Sequence, residues 1–263
     1  MMAATLICGA SVFTSCSDDK DSDIENLSEK IIGKWITADI DGQAALTNEK
    51  MVVTFVSPTK ATVSESRSDY GGPSVKWSAA REYDVLIDDN KVTLTGHPTN
   101  INTIINELTI TSISVDKMIC TNKHTVIRND QVIKVTETQL CFTKLTADYS
   151  GAVLGLWECT ELTGIETYND ANARLEFFAN GTYKYWRKNT ADQWEAVTTR
   201  EFQDYFVDGT LLATRWKNQG EAELREWWEI ESLNASEMVW KALRGNADGS
   251  TTVQTMKWKR VLL

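Results

Sequence analysis

Two hundred and sixty-three residues exceed one ordinary domain of roughly 100–200 residues and point to two. Apolar content of 42% with 24% charged residues excludes a disordered chain, and three prolines with fourteen glycines exclude collagen-like and proline-rich classes. A net charge of −10 and a pI near 4.8 offer no basic face to meet phosphates, which argues against a nucleic-acid binder, and two histidines, His97 and His124, leave little for metal sites or His-dependent catalysis.

Met1 to Ser15 carry no charge and hold an apolar stretch from Ala3 to Phe13. That is too short for a bilayer core of about 30 Å, which needs roughly 20 apolar residues, but it has the length of the apolar core of a secretory signal peptide. No Lys or Arg precedes it. Phe13-Thr14-Ser15-Cys16 then resembles a bacterial lipobox. The resemblance implies a signal peptide over residues 1–15, lipidation of Cys16, and anchoring by acyl chains worth about 0.8 kcal/mol per buried CH₂. The acidic run Ser17 to Asp23 cannot bury surface and reads as part of a flexible tether over residues 16–26. An acidic stretch directly after the cysteine is also similar to the export signal of surface lipoproteins in some anaerobic Gram-negative bacteria. The expected location is the outer membrane, exposed at the cell surface if that export reading holds. A short helix is expected over Asp23 to Lys30, with Ser22 and Glu25 at capping-box spacing.

The rest of the chain reads as one pattern written twice. Ile32-Gly33-Lys34-Trp35 recurs as Leu154-Gly155-Leu156-Trp157, and Val53-Thr54-Phe55 as Leu175-Glu176-Phe177, both at an offset of 122. Lys76-Trp77-Ser78-Ala79 matches Gln193-Trp194-Glu195-Ala196, Ile110 to Met118 matches Ile230 to Met238, and Leu140 to Lys144 matches Met256 to Arg260. Five landmarks in one order describe a tandem duplication, with copies over residues 27–147 and 150–263. Each copy reads as about eight short strands with turns at Ser57-Pro58-Thr59, Asp88-Asp89-Asn90, Arg128-Asn129-Asp130 and, in the second copy, Asn180-Gly181. No long helical stretch intervenes, which favours a closed antiparallel barrel or a sandwich. Glu221 to Glu231 has helix-favouring residues, but its counterpart Asn106 to Thr111 is strand-like, so strand is expected in both.

A Gly-x-Trp on the first strand of an eight-stranded pattern, with a basic residue near the end of the last, resembles the lipocalin (calycin) superfamily. The resemblance implies all-β architecture as two tandem antiparallel eight-stranded barrels. It also implies that Trp35 with Lys144, and Trp157 with Arg260, close one end of each barrel, the basic group lying over the indole. Lys144 stands where the family has Arg. Such a cation–π contact is worth roughly 0.5–2 kcal/mol.

An eight-stranded barrel either fills with side chains or holds one small ligand, and sequence does not decide which. The second copy carries eight of the ten tryptophans. Tyr183, Trp186, Trp216 and Trp228 are the candidate ligand-binding residues, for a small hydrophobic or aromatic-stacking ligand. The competing reading is a pair of filled barrels whose outer faces dock an envelope protein or a glycan, with Trp227 or Trp186 in an outer patch. Strand alternation puts Trp228 inside and Trp227 outside. No nucleophile elbow, phosphate loop or Cys–His dyad is present, the histidines share no metal-ligand spacing, and Asp88-Asp89 reads as turn chemistry. No catalytic residue, metal or cofactor is expected, and contact with the membrane is expected through the lipid anchor alone. Cys120 and Cys141 flank one hairpin turn, which leaves open a cross-strand disulfide or buried thiols.

Overall fold

The computed structural model describes residues 26–65, 80–164 and 172–262. The leader, Cys16, the tether up to Glu25 and the Trp77 landmark lie outside the described residues. Period-two patterning becomes strand nearly everywhere, in two sheets. The first holds β1 (Gly33–Ile40), β2 (Gln43–Ala44), β3 (Met51–Ser57), β4 (Lys60–Glu65), β5 (Arg81–Asp88), β6 (Lys91–Thr99), β7 (Asn102–Ile113), β8 (Lys117–Arg128) and β9 (Gln131–Lys144). β1 pairs with β3, each strand from β3 to β8 pairs antiparallel with its successor, and β9 pairs back onto β1. Eight strands thus close an up-and-down barrel, and β2 is a short extension of β1. Tight loops make this possible: Asn129 and Asp130 between β8 and β9 both have positive φ, 49° and 60°, as a type I′ turn requires.

The second sheet holds β10 (Gly155–Thr163), β11 (Ala173–Phe177), β12 (Tyr183–Lys188), β13 (Trp194–Ala196), β14 (Arg200–Asp208), β15 (Leu211–Asn218), β16 (Glu223–Leu233), β17 (Glu237–Gly245) and β18 (Thr251–Arg260). Its order is β13-β12-β11-β10-β18-β17-β16-β15-β14, with β10 on β18 as β1 is on β9. It curls in the same sense, but β12 and β14 meet only at a bridge between Thr182 and Asp204. The all-β architecture is therefore a closed eight-stranded antiparallel barrel plus a curled sheet with an incompletely zipped seam. β16 is a strand despite its helix-favouring composition, because its pairing with β15 and β17 and the burial of Trp228 and Ile230 outweigh propensity. Of the helix expected over Asp23 to Lys30, the described part is α1 (Leu27–Lys30), and Asn26 precedes it in left-handed geometry without a side-chain cap bond. Ser22 and Glu25 lie outside the described residues.

The two Gly-x-Trp strands are built alike. Trp35 and Trp157 are fully buried, and each indole N–H donates 2.7 Å to the carbonyl four residues earlier, Ile31 and Val153. Lys144 Nζ lies 5.0 Å from the Trp35 ring centroid, and the Arg260 guanidinium 4.1 Å from that of Trp157. The glycine is required by this packing. Gly33 and Gly155 have φ of 127° and 106°, and a Cβ would come within 2.7 Å of Lys144 Cε and 2.9 Å of Arg260 Nη1. Arg260 also donates to the carbonyls of Leu154, Ala152 and Ala235, whereas Lys144 reaches only Lys30, at 3.5 Å. Two register shifts recur at matching positions, Thr37/Asp39 with Cys159/Glu161 and Ile110/Ser112 with Ile230/Ser232.

The outer wall of the first barrel packs against the second sheet. Ile36, Val52, Phe206, Leu211 and Ala213 form a buried cluster with Leu145 and Trp227 beside it. Polar ties surround it. Lys34 Nζ bonds Asp208 at 2.5 Å and Asp148 at 2.6 Å, Ser64 donates to Asp208, and Lys50 bonds Glu229 at 2.5 Å. Trp227, expected on an outer face, is outside the second sheet but is covered by this contact.

Among the described residues the cysteines form no disulfide, and Cys120, Cys141 and Cys159 are buried thiols. Cys120 pairs with Leu140 and Cys141 with Ile119, so the two thiols are one register step apart and point to opposite faces of the wall. Burial pushes the Cys120 thiol up to about 12 and that of Cys159 up to about 11, which keeps both protonated and unreactive.

Two outcomes follow from this packing. Trp157→Ala costs about 3–5 kcal/mol in urea unfolding, and a variant as stable as wild type would remove the indole from its structural role. Lys34→Met costs about 3 kcal/mol, the lower end for breaking a buried pair, because 20% of the Lys34 side chain is exposed. Burial opposes ionisation of Asp148, but bonds from Lys34 and Ser150 override it and hold the carboxyl down at about 2. Its contribution is present above the unfolded carboxylate value of about 3.9 and is lost as pH falls through the folded one. The difference in thermal midpoint between wild type and Lys34→Met therefore narrows from about pH 4 to pH 2. A difference that widens on acidification would contradict the pairing.

Candidate functional site at the mouth of the second sheet

The deep interiors are filled. In the first barrel Trp35, Phe55, Leu94, Ile104, Leu108 and Phe142 are buried. In the second sheet aromatic rings do the filling: Trp240 stacks with Trp258 at 4.6 Å and with Trp228 at 5.8 Å, and Phe177 meets Tyr205 edge-on at 4.7 Å. What is open lies at the end opposite Trp157.

Cross-strand register identifies the side chains there. Leu212 pairs with Trp228 and both belong to the inner core, so Thr214 with Glu226, and Trp216 with Leu224, share that inner face one and two steps up. Leu224 is 46% exposed although it faces inward. On the outer face of β16, Glu223, Arg225, Trp227 and Glu229 are half-buried, whereas inward Leu224 and Glu226 are exposed. The usual pattern is inverted because part of the outer wall is covered by the first barrel while the inner wall opens to solvent.

Two guanidinium groups line this mouth. Arg200 lies between two aromatic rings, 4.7 Å from the Tyr185 centroid and 5.0 Å from that of Trp216. It donates to the Tyr183 hydroxyl at 3.3 Å and to Gln203 Oε1 at 3.0 Å. Arg244 lies over the Trp228 ring at 4.8 Å and donates to Gln254 Oε1 at 3.1 Å. Burial pulls the Arg244 pKa down, and Glu226 partly restores it. Burial also raises the Tyr183 phenol, with Arg200 opposing. Glu226 accepts a long 3.4 Å bond from the Trp228 indole.

Of the four residues expected at a ligand site, Tyr183, Trp216 and Trp228 face this interior. Trp186 does not. Tyr183 is inward, so Trp186, three residues on, has the opposite phase, and it pairs with Arg174, which bonds Glu158 on the outer wall. Beside it Arg174 stacks on Trp194 at 4.1 Å. Arg200, Gln203, Glu226 and Arg244 were not singled out from the sequence. The available signal was a charged residue in the apolar phase of a strand: Arg244 follows Met238, Trp240 and Ala242 at steps of two.

The seam between β12 and β14 ends at this mouth. Tyr205 N–H donates to Gly181 at 2.9 Å, but one step up Tyr185 N–H finds no strand and donates instead to Gln203 Oε1 at 3.1 Å. The Gln203 amide thus substitutes for a missing carbonyl and holds Arg200 in place. His124 lies in the first barrel, 2.9 Å from Asn106, with its pKa lowered by burial and by Lys134. His97 is at the surface near Thr103. Among the described residues no group of three or more His, Cys, Asp or Glu is placed to hold a metal.

No family model and no curated protein matches the chain. Among solved structures, a tryptophan-to-alanine mutant of the vaccine antigen transferrin binding protein B from Haemophilus parasuis Hp5 is similar at 10% identity and a TM-score of 0.22. The match covers 83% of this chain and 61% of that one, so this chain spans less than two thirds of its length.

The seam makes a local prediction. Gln203→Ala leaves Tyr185 N–H without an acceptor, so its hydrogen exchange accelerates by roughly tenfold or more while amides of β16 and β17 are unchanged. Unchanged exchange at Tyr185 would mean that the Gln203 amide does not close the seam.

Proposed function

We propose that this chain is a non-enzymatic binding protein, anchored in the outer membrane through Cys16 and exposed at the cell surface. In this reading a signal peptide over residues 1–15 and a tether over 16–26 precede two lipocalin-like domains, 27–147 and 150–263. The two descend from one duplicated unit, which the matched indole–carbonyl bonds and the matched register shifts support. Among the described residues no helix is long and apolar enough to cross a membrane, and the anchor is assigned to acyl chains alone. The second domain takes a small aromatic-stacking ligand at its mouth, against Tyr183, Trp216 and Trp228. The observation that carries this is the solvent exposure of the inward-facing Leu224 and Glu226 on β16, where aromatic rings and polar groups converge above a filled core. The acidic chain is assigned no nucleic-acid partner, and the site needs no cofactor.

A second reading is favoured by one observation. Trp186 and Trp194 lie together on the outer wall with Arg174 over Trp194, a surface suited to a glycan or an envelope protein.

Native mass spectrometry of the chain purified from cell extract, with tryptophan fluorescence during ligand screening, separates the two. The expected result is a retained small molecule, or quenching by one ligand class, that Trp216→Leu abolishes and Trp186→Leu does not. Loss of the response in Trp186→Leu alone would move the site to the outer wall.

A further inference from the structure

The mouth of the second sheet has more hydrogen-bond donors than acceptors. Arg174, Arg215 and Arg225 each bond a carboxylate: Glu158, Asp204 and Glu223. Arg200 and Arg244 are half-buried, and their bonds go to neutral oxygens of Tyr183, Gln203 and Gln254. Arg200 Nε is buried without a partner, as are the indole nitrogens of Trp240 and Trp258 in the core below. A buried donor that has exchanged water for nothing costs about 1–3 kcal/mol in free energy, more when charged. Against this stand two exposed carboxylates in the inward phase: Glu226 at the rim, bonded only weakly to Trp228, and Glu195, which lies across from Arg187 and accepts from Asn189.

We propose, building on the ligand site argued above, that the mouth binds an aromatic anion, a carboxylate or sulfonate carried on a flat ring. Its acid group meets the free N–H groups of Arg200 and Arg244. Guanidinium forks match carboxylate geometry and hold it more strongly than neutral donors do. Its ring lies beside Trp216 and Tyr185, which are half-buried at the mouth and already stack the planar Arg200 guanidinium. A long acyl chain does not fit this arrangement, because Trp240, Trp258 and Phe177 occupy the space below. The unzipped seam beside Gln203 lets Arg200 shift without breaking a strand ladder, since only a side chain bridges β12 and β14 at that level.

The test compares two fluorescent probes that differ by one acid group. 1-Anilinonaphthalene-8-sulfonate carries the sulfonate, and N-phenyl-1-naphthylamine is the same arylamine without it. The full chain is expected to bind the sulfonate roughly tenfold or more tightly than the neutral probe. Arg200→Met and Arg244→Met each erase most of that preference, whereas Arg244→Lys keeps part of it. Far-UV circular dichroism and the thermal midpoint establish that each variant is folded, and Arg244→Lys serves if a Met variant is not. Equal affinity for both probes, lost together in Trp216→Leu, would overturn the anion preference and leave the ligand site standing. A sulfonate preference that survives both Met substitutions would place the anion elsewhere and overturn the proposal. No binding of either probe would count against both this proposal and the ligand site on which it rests.

Discussion

The indole N–H of Trp35 or Trp157 must find an acceptor inside a closed barrel end, and the carbonyl four residues earlier supplies it. Much of the architecture depends on that bond. It fixes the entering chain across the barrel floor, so that the basic residue at the end of the last strand can lie over the ring and bond backbone carbonyls. The glycine two residues before the tryptophan is there because the backbone turns through a positive φ at that point, with the end of the basic side chain packed directly against it. Three residues distant in sequence thereby close the floor, and every strand above it inherits its phase.

The same phase explains how the two halves differ. The first closes edge to edge along β1 and β9, leaving its interior packed and its outer wall free to carry the second half. The second leaves β12 and β14 joined by one backbone bridge and by the side chains of Gln203 and Arg200. An unzipped seam exposes backbone groups that must be satisfied otherwise, and Gln203 and Arg200 gather there for that reason. The mouth is polar where the floor is aromatic.

Burial by the first barrel accounts for the exposure pattern of β14 to β16. Phe206 to Arg215 are buried on both faces of their hairpin, which a single-walled barrel does not produce. Inward-facing Leu224 and Glu226, at the same height, are exposed. Trp227, a free surface aromatic by sequence reading, becomes part of an internal contact, and Trp186 faces the outer wall instead of the site. The burial of Trp227 depended on which wall is covered, and no local pattern carries that information, whereas the outward face of Trp186 follows from its odd spacing from inward Tyr183.

Strand phase, turn chemistry and the repeated Gly-x-Trp with its basic partner were legible directly, because they follow from local periodicity and from side chains that must be neighbours in a closed sheet. Tyr183, Trp216 and Trp228 could be nominated by chemistry alone. The cysteine pairing could not, since a single register step reverses the face of a side chain. Nor could Arg200 and Arg244, whose hydrogen bonds go to the neutral oxygens of Tyr183, Gln203 and Gln254, a choice of partner that side-chain placement across strands decides. The sequence by itself determined an all-β chain of two similar halves, each with a tryptophan floor. Only the tertiary structure decided that the second half is open at its mouth, which wall is covered, and which charges are left unpaired, because those depend on contacts between segments whose separation in the chain leaves no periodic trace.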